Sequence, residues 1–268
     1  MHVMIIGGTG LLGYHATGEL LGRGHSVSLL ALPPLPAAGL FPQSVPILLQ
    51  DLNSIDDNGL AKLLRGADAV VFAAGVDDRV TPKTPAYPFF HQHNVEATKR
   101  LSGICRKVGV KRFVILGSYF AFFHRLWPHM ELTRHHPYIR SRVEQTREAQ
   151  SAGGDELAVI TLELPYIFGT MPGRMPLWKP LIRYAVSRMP LFYPRGGTTC
   201  VTVTQVAQAI AGAERRRGSA ATARERRDRR HRDLDAADPD RPADPLRVGG
   251  VASPGAARGR LRMRVLVI

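Results

Sequence analysis

Near the amino end, glycines stand at a spacing that lets backbone amides bind an anion. The stretch is GGTGLLG at positions 7–13, directly after the apolar run at 3–6. Glycine permits a sharp bend between a strand and a helix, and it lets the backbone approach a phosphate closely. The N–H groups and the dipole at the start of the following helix favour negative charge. The sequence therefore predicts a pyrophosphate site made by Gly7, Gly8, Thr9, Gly10, Leu11, Leu12 and Gly13.

The residues after the second apolar run leave the choice between NAD and NADP open. A dinucleotide site usually has an acid for the ribose about 20 residues after the glycines, or an arginine for a 2′-phosphate. Here that region reads Leu30, Ala31, Leu32 and Pro33, which offers neither group. The same glycines could form an ordinary tight turn. Their place between the first strand and the first helix favours a dinucleotide.

A phosphate-binding turn of this kind follows a strand of a sheet, and the pattern of apolar residues predicts such a sheet. Short apolar runs alternate with helical stretches as far as residue 163. The expected strands are 3–6, 25–32, 45–49, 69–74, 112–116 and 157–163, and the expected helices are 11–21, 55–64, 94–108 and 138–150. Such alternation indicates an α/β fold, a doubly wound parallel sheet with helices on both faces. Residues 1–163 are therefore expected to form a Rossmann NAD(P)-binding domain.

Composition excludes several other classes of protein. The chain has 268 residues and a net charge of +14, half of which lies beyond residue 213. No stretch reaches the ~18 apolar residues of a membrane span, and no signal peptide is recognised, so a cytoplasmic protein without a membrane partner is expected. Cys105 and Cys200 predict no disulfide framework. The histidines fit no metal-ligand spacing, so no metal is expected.

Further motifs resemble a known family when they are taken together with the glycine turn. They are VVFAAG at 70–75, NVEAT at 94–98, ILGSYF at 115–120, PYIRSRVEQ at 137–145 and LPYIFG at 164–169. In this order they resemble the extended short-chain dehydrogenase/reductase superfamily, the NAD(P)-dependent epimerase/dehydratase group. The resemblance covers about residues 1–213. It implies further cofactor-site residues: Asp51 and Leu52 at the adenine, Ala73, Ala74 and Gly75 beside the cofactor, Asn94 at the start of a helix, and Pro165 and Ile167 near the nicotinamide.

The resemblance also implies which residues are catalytic. Ser118 falls on the family's serine, which orients the substrate oxygen, and Tyr138 falls on its acid–base tyrosine. A phenol has a pKa of about 10, so it needs a nearby cation to act near neutral pH. The family normally places a lysine four residues after the tyrosine, whereas this chain has Arg142. Arginine stays charged and could still depress the tyrosine pKa, but it cannot relay a proton as lysine can.

Two functions are compatible with this departure. The first is an NAD(P)-dependent oxidoreductase, epimerase or dehydratase that acts on a carbonyl or hydroxyl of a small molecule. The substrate could be a sugar nucleotide, a sterol or a flavonol. The alternative is a catalytically impaired NAD(P)-binding sensor or scaffold. The helices that begin near Asn94 and Tyr138 pair subunits in many relatives, so the resemblance makes a homodimer possible in either case, although the sequence does not give the oligomeric state.

The pattern becomes less regular after residue 163. Residues 164–213 are expected to form a small substrate-binding lobe, truncated by comparison with the family, with helices at 178–189 and 205–213 and a strand at 201–203. From residue 214 arginine accumulates and large apolar residues become rare. Residues 214–268 are read as a disordered extension, as a nucleic-acid contact, or as the product of a reading-frame shift in a GC-rich gene. The composition favours the frame shift, so nucleic acid is not expected as a partner.

Overall fold

Six parallel strands form the central sheet of the computed structural model. The structure describes residues 1–34, 36–190, 192 and 197–215, of which 214 and 215 are described by backbone alone. The interpretation of residues 216–268 as a disordered or frame-shifted tail therefore lies outside the described residues. The strands are β1 (His2–Ile6), β2 (Ser26–Ala31), β3 (Ile47–Leu49), β4 (Ala69–Phe72), β5 (Arg112–Ser118) and β6 (Ala158–Leu164). All pairings between neighbours are parallel.

The strand order is β3-β2-β1-β4-β5-β6, which confirms the predicted doubly wound Rossmann fold. The order reverses between β1 and β4. The turns after those two strands therefore lie next to each other at the carboxyl edge of the sheet, where such folds bind ligands. The predicted glycine turn follows β1, so it lies at this reversal point.

Helices cover both faces of the sheet. They are α1 (Leu11–Gly22), α2 (Asp57–Leu64), α3 (Tyr87–Phe90), α4 (Ala97–Val108), α5 (Phe120–Leu126), α6 (Leu132–His135), α7 (Pro137–Gly153), α8 (Lys179–Ala185) and α9 (Val203–Arg215). Alternate residues of β1 point to opposite faces. Val3 and Ile5 join one apolar core with α1 and α9, and Met4 and Ile6 join the other with α2, α4 and α7.

Several element boundaries differ from the sequence-based prediction. The helix expected to begin at Asn94 begins earlier, at Tyr87, because Pro88 favours the first turn of a helix, and a π-helical segment (His91–Glu96) then joins α3 to α4. Asn94 therefore lies inside a helix, and its placement at a helix start was wrong. The helix expected at 178–189 ends at Ala185. The helices α5 and α6 had not been predicted.

The residues after β6 form a second, two-stranded sheet of β7 (Tyr166–Phe168) and β8 (Cys200–Thr202). The helix α9 then returns to the main sheet, where Val206 and Ile210 are fully buried in the core shared with α1. The domain boundary between residues 163 and 164 stays a prediction. None of the helices in the described ranges is long and apolar enough to cross a membrane.

Candidate functional site

A cleft of about 1120 Å³ runs along the carboxyl edge of the sheet. It extends from residues that follow β3 to residues that follow β6, and therefore spans the edge from one side to the other. The predicted site residues that line it are Gly7, Thr9, Gly10, Leu11, Leu12, Asp51, Leu52, Ala73, Ala74, Gly75, Ser118, Tyr138, Arg142, Pro165 and Ile167. Gly8, Gly13 and Asn94 are the predicted residues that do not line it.

The glycine turn is packed so closely that side chains are excluded at two positions. Gly7 has a φ of +83°, and a Cβ there would lie 2.8 Å from the backbone carbonyl of Ala73. A Cβ on Gly13 would lie 2.5 Å from the carbonyl oxygen of Gly8. Gly7 therefore lets β1 and β4 approach at the reversal point. Gly13 lets α1 start directly against the turn.

The start of α1 supplies the groups that a pyrophosphate requires. Gly10 precedes the helix with extended backbone angles, and its N–H donates to the carbonyl of Gly7 at 3.0 Å. The next amides, on Leu11 and Leu12, have no acceptor within the helix because they belong to its first turn, and both residues line the cleft. A cradle of amides that side chains cannot fill fits the diphosphate of a dinucleotide.

The adenosine side of the cleft departs from the usual pattern. Leu32, Pro33 and Pro34 line the cleft after β2, where a ribose-binding acid would normally stand. Asp51 also lines the cleft, but its carboxylate accepts a hydrogen bond from the Asn53 amide at 2.9 Å and so caps a short 3₁₀ turn. The Asp51 carboxylate therefore stabilises the loop that follows β3.

Asn94 fixes the turn after β4. Its Oδ1 accepts from the Val76 amide at 2.9 Å, and its Nδ2 donates to the Val76 carbonyl at 3.0 Å and to Ser141 Oγ at 3.2 Å. The side chain is fully buried. Asn94 thus joins the turn after β4 to α7 and does not face the cleft.

Tyr138 and Arg142 lie one helical turn apart on α7. The Tyr138 ring is 3% exposed and packs edge-on against Phe90, with ring centroids 5.6 Å apart. The Arg142 guanidinium carbon is 5.2 Å from the Tyr138 ring centroid. Ser118, at the end of β5, is also buried and lines the same cleft. All three of the predicted catalytic residues therefore line the cleft, and Tyr138 and Arg142 lie side by side in it.

Hydrogen bonds hold the Arg142 guanidinium in place. It donates to the carbonyl of Val76 at 2.9 Å, to Gln145 Oε1 at 2.9 Å and to the carbonyl of Leu116 at 3.4 Å. A Cβ on Gly75 would lie only 2.9 Å from Nη1, so this glycine makes room for the guanidinium. Arg142 therefore connects the turn after β4 to β5, in addition to placing a cation beside the tyrosine.

Sequence reasoning missed a charged pair in the cleft. The Arg79 Nε donates to Asp77 at 2.8 Å, and both residues line the cleft directly after the β4 turn. Burial alone would raise the pKa of Asp77, but the hydrogen bonds and charge of Arg79, with a smaller effect of Arg142, hold it below its ordinary value. The signal available in the sequence was position: these residues follow VVFAAG, which was already placed beside the cofactor.

Aromatic side chains form one wall of the cleft. It consists of Tyr119, Phe120, Tyr166 and Trp178, which come from the segments after β5 and β6. Burial and the neighbouring Tyr119 raise the pKa of the Tyr166 phenol above its ordinary value. His124, Trp127 and His129, which precede the tyrosine in the sequence, do not line the cleft.

The fold, the amide cradle and the cleft define a protein of the dinucleotide-binding Rossmann class. A model of the NAD-dependent epimerase/dehydratase family matches residues 3–235, which is most of the chain. The chain therefore belongs to this family, and NAD(P) is the family's cofactor. The resemblance drawn from the sequence motifs is confirmed.

Solved structures share this fold, and a curated relative matches part of the chain. MoeE5 in complex with UDP-glucuronic acid and NAD superposes with a TM-score of 0.62 at 24% identity, over 81% of this chain and 73% of that one. The UDP-glucose 4-epimerase of Thermus thermophilus in complex with NAD gives 0.62 at 22% identity, over 81% and 75%. The human sterol-4-alpha-carboxylate 3-dehydrogenase, decarboxylating, is 29% identical over 119 residues, which are 44% of this chain and 29% of the human protein.

Proposed function

We propose that this chain is an NAD(P)-dependent oxidoreductase, epimerase or dehydratase that acts on a carbonyl or hydroxyl of a small molecule. The observation that carries the proposal is the position of the Arg142 cation, 5.2 Å from the Tyr138 ring, in the cleft that contains the amide cradle. A phenol and a cation placed together are the components of an acid–base pair. The family to which the chain belongs and the NAD bound in its structural neighbours support the same chemistry.

Each of the three side chains has a distinct role in this proposal. Tyr138 donates a proton to the substrate oxygen during reduction and accepts it during oxidation. Ser118 donates a hydrogen bond that orients that oxygen. Arg142 holds a positive charge beside the Tyr138 ring. The nicotinamide, when bound, supplies or accepts the hydride.

The chain's own backbone would hold the cofactor. The amides of Leu11 and Leu12 would face the diphosphate, and Gly7 and Gly10 would leave room for it. Asp51 and Leu52 would lie near the adenine, and Ile167 near the nicotinamide. The apolar lining at Leu32 and Pro33 offers no group that selects NAD over NADP.

A screen of alcohols and ketones with NAD(H) and NADP(H) tests this proposal. We expect turnover of at least one substrate, and Tyr138→Phe should lower kcat by about 10²–10⁴-fold while the dissociation constant of the cofactor stays unchanged. Turnover that survives Tyr138→Phe would contradict the role of the phenol. The screen should include sugar nucleotides, such as the UDP-glucuronic acid bound by MoeE5, and sterol carboxylates, after the human relative.

The second candidate function is a binding protein without turnover. It is favoured by the three hydrogen bonds that tie the Arg142 guanidinium to Val76, Leu116 and Gln145. A guanidinium committed to these acceptors has fewer donors left for a ribose or a substrate. Saturable cofactor binding without turnover, followed by a gain of turnover in Arg142→Lys, would support this candidate.

The oligomeric state and the origin of the arginine-rich tail are the subjects of two further proposals. We propose a homodimer formed through α4 and α7, which light scattering of the purified protein tests directly. We also propose that residues 214–268 result from a shifted reading frame. Translation of the gene in another frame after codon 213 should then continue an apolar-periodic pattern, and stop codons there would contradict the idea.

A further inference from the structure

One stretch at the rim of the cleft exposes far more apolar surface than a folded protein usually leaves in water. We call residues 175–189 the rim segment. Its side chains include Met175 at 74% exposure, Val186 at 78% and Met189 at 63%. Leu177, Leu181 and Ile182 are also more than half exposed. A contiguous apolar patch of this kind marks an interaction site.

The helix inside the rim segment has little to hold it. The helix α8 has seven residues and buries none of them. Isolated helices this short are not stable in water, so packing must support this one. Its support is Trp178, whose indole N–H donates to the Ile167 carbonyl at 2.7 Å and whose ring stacks on Phe168 with centroids 4.3 Å apart. A second surface would complete the packing of the exposed side.

The charged residues of the rim segment, and of the chain on either side of it in the sequence, have one sign. Residues 164–213 contain five basic residues and no aspartate or glutamate. Three of the basic residues, Lys179, Arg183 and Arg188, lie in the rim segment, and none of them forms an ion pair within the described ranges. The occupant of this face should therefore be apolar and negatively charged.

An occupant that is apolar and negatively charged is neither a second copy of the rim segment nor the tail of this chain. A second copy of the rim segment would bring the same positive charge to the contact. Residues 214–268 carry fifteen arginines and eight acidic residues, so they too bring a net positive charge. Neither occupant supplies the complementary sign.

We propose that the rim segment binds the surface of a bilayer that contains anionic lipid. Short apolar segments with basic side chains lie in the plane of the interface, where the apolar groups enter the acyl boundary and the cations meet the headgroups. Trp178 and Tyr184 are the aromatic types that prefer this depth. The proposal requires no membrane-spanning helix. It revises the expectation, drawn from the sequence, that the protein has no membrane partner.

The position of the segment gives the contact a consequence for the cleft. Leu177 and Trp178 belong to the rim segment and also line the cleft. A bilayer that covers the segment would therefore lie at the mouth of the cleft.

Vesicle binding of the full chain tests the proposal. Trp127→Phe leaves Trp178 as the single tryptophan reporter. With vesicles of equal phosphatidylcholine and phosphatidylglycerol, we expect co-sedimentation, a blue shift of Trp178 emission and quenching by brominated acyl chains. Leu181→Asp/Ile182→Asp should weaken partitioning at least about tenfold, because apolar contact is lost and the positive charge of the rim segment is reduced. The matched control is Leu126→Asp/Met130→Asp, which makes the same charge change at two other exposed apolar residues and should partition like the parent.

Three outcomes would overturn the proposal. Equal partitioning of the two double variants would assign binding to the basic residues elsewhere in the chain. Equal binding to pure phosphatidylcholine vesicles would remove the requirement for anionic lipid. A rim variant that changes the mass measured by light scattering, while the parent does not bind vesicles, would identify the face as a contact between copies.

Discussion

The two sides of the cleft are built from different parts of the polypeptide. On the β1 side, the backbone shapes the site: Gly7 and Gly13 leave no room for side chains, and Leu11 and Leu12, whose amides belong to the first turn of α1, line the cleft. On the β5 side, side chains form it, and the main participants are Ser118, Tyr138 and Arg142. A backbone site depends on where glycine is allowed. A side-chain site depends on the identity of each group.

This difference explains why one side keeps the family pattern and the other departs from it. The amide cradle needs only glycines, which the chain retains at every position of GGTGLLG where the packing demands one. The tyrosine side has exchanged the expected lysine for Arg142, and the arginine has gained structural hydrogen bonds. Substitutions on the two sides should therefore have different signatures.

The largest effect should come from the backbone side. Gly7→Val places a β-branched residue at a φ of +83° and against the Ala73 backbone, so we expect loss of cofactor binding by more than about 100-fold and a stability loss of about 2–5 kcal/mol. Cofactor titration and thermal unfolding measure both. Gly18→Ala is the matched control, because that helical position has open space and alanine favours the helix by about 0.5–1 kcal/mol. Equal cofactor affinity and equal stability of the two variants would show that the β1 side of the cleft does not depend on glycine.

The next largest effect should come from Arg142. Arg142→Ala removes a donor from Gln145 Oε1 and from the Leu116 carbonyl, and one of the two donors from the Val76 carbonyl, so we expect a loss of about 2–4 kcal/mol in the free energy of unfolding. Arg142→Lys keeps the charge and should lose less. Arg140→Ala, on the same helix but half-exposed, should cost less than about 1 kcal/mol. If Arg142→Ala unfolds like Arg140→Ala, the hydrogen bonds of Arg142 have no structural role.

A smaller loss of stability is expected when the ion pair between Arg125 and Glu163 is broken. Glu163 is 1% exposed and accepts two hydrogen bonds from the half-exposed Arg125 at 2.7 and 2.6 Å. Arg125→Ala leaves this carboxylate without its cation, so we expect a loss of about 2–3 kcal/mol, whereas Glu163→Gln should lose less. Chemical denaturation measures both. The reverse order would show that the buried carboxylate needs no partner.

The smallest effect should appear as a pH dependence at Asp77. Its pKa is held below the ordinary 3.8, so the carboxylate stabilises the folded state above about pH 4, and this contribution is lost as the pH falls below that value. Asp77→Asn lacks the contribution. The difference in melting temperature between wild type and Asp77→Asn should therefore shrink between about pH 5 and pH 3. A difference that stays constant over this range would exclude a role for the ionised carboxylate.

The sequence predicted the backbone side better than the side-chain side. Strand–glycine–helix patterns are local, so β1, the turn and α1 could be placed almost to the residue. Arg79 and Trp178 reach the cleft through loops and tertiary packing, which a local pattern does not encode. The hydrogen bonds of Asn94 to Val76 could not be predicted either, because they depend on how the helix after β4 lies against α7.

The proposed site and function require that the chain binds a dinucleotide. Equilibrium titration with NADH and NADPH tests this binding most directly. We predict saturable binding of at least one of them by the wild-type protein, at one site per chain, with displacement by the oxidised form. A protein whose circular dichroism shows a folded α/β chain, and which binds neither cofactor, would contradict the central claim.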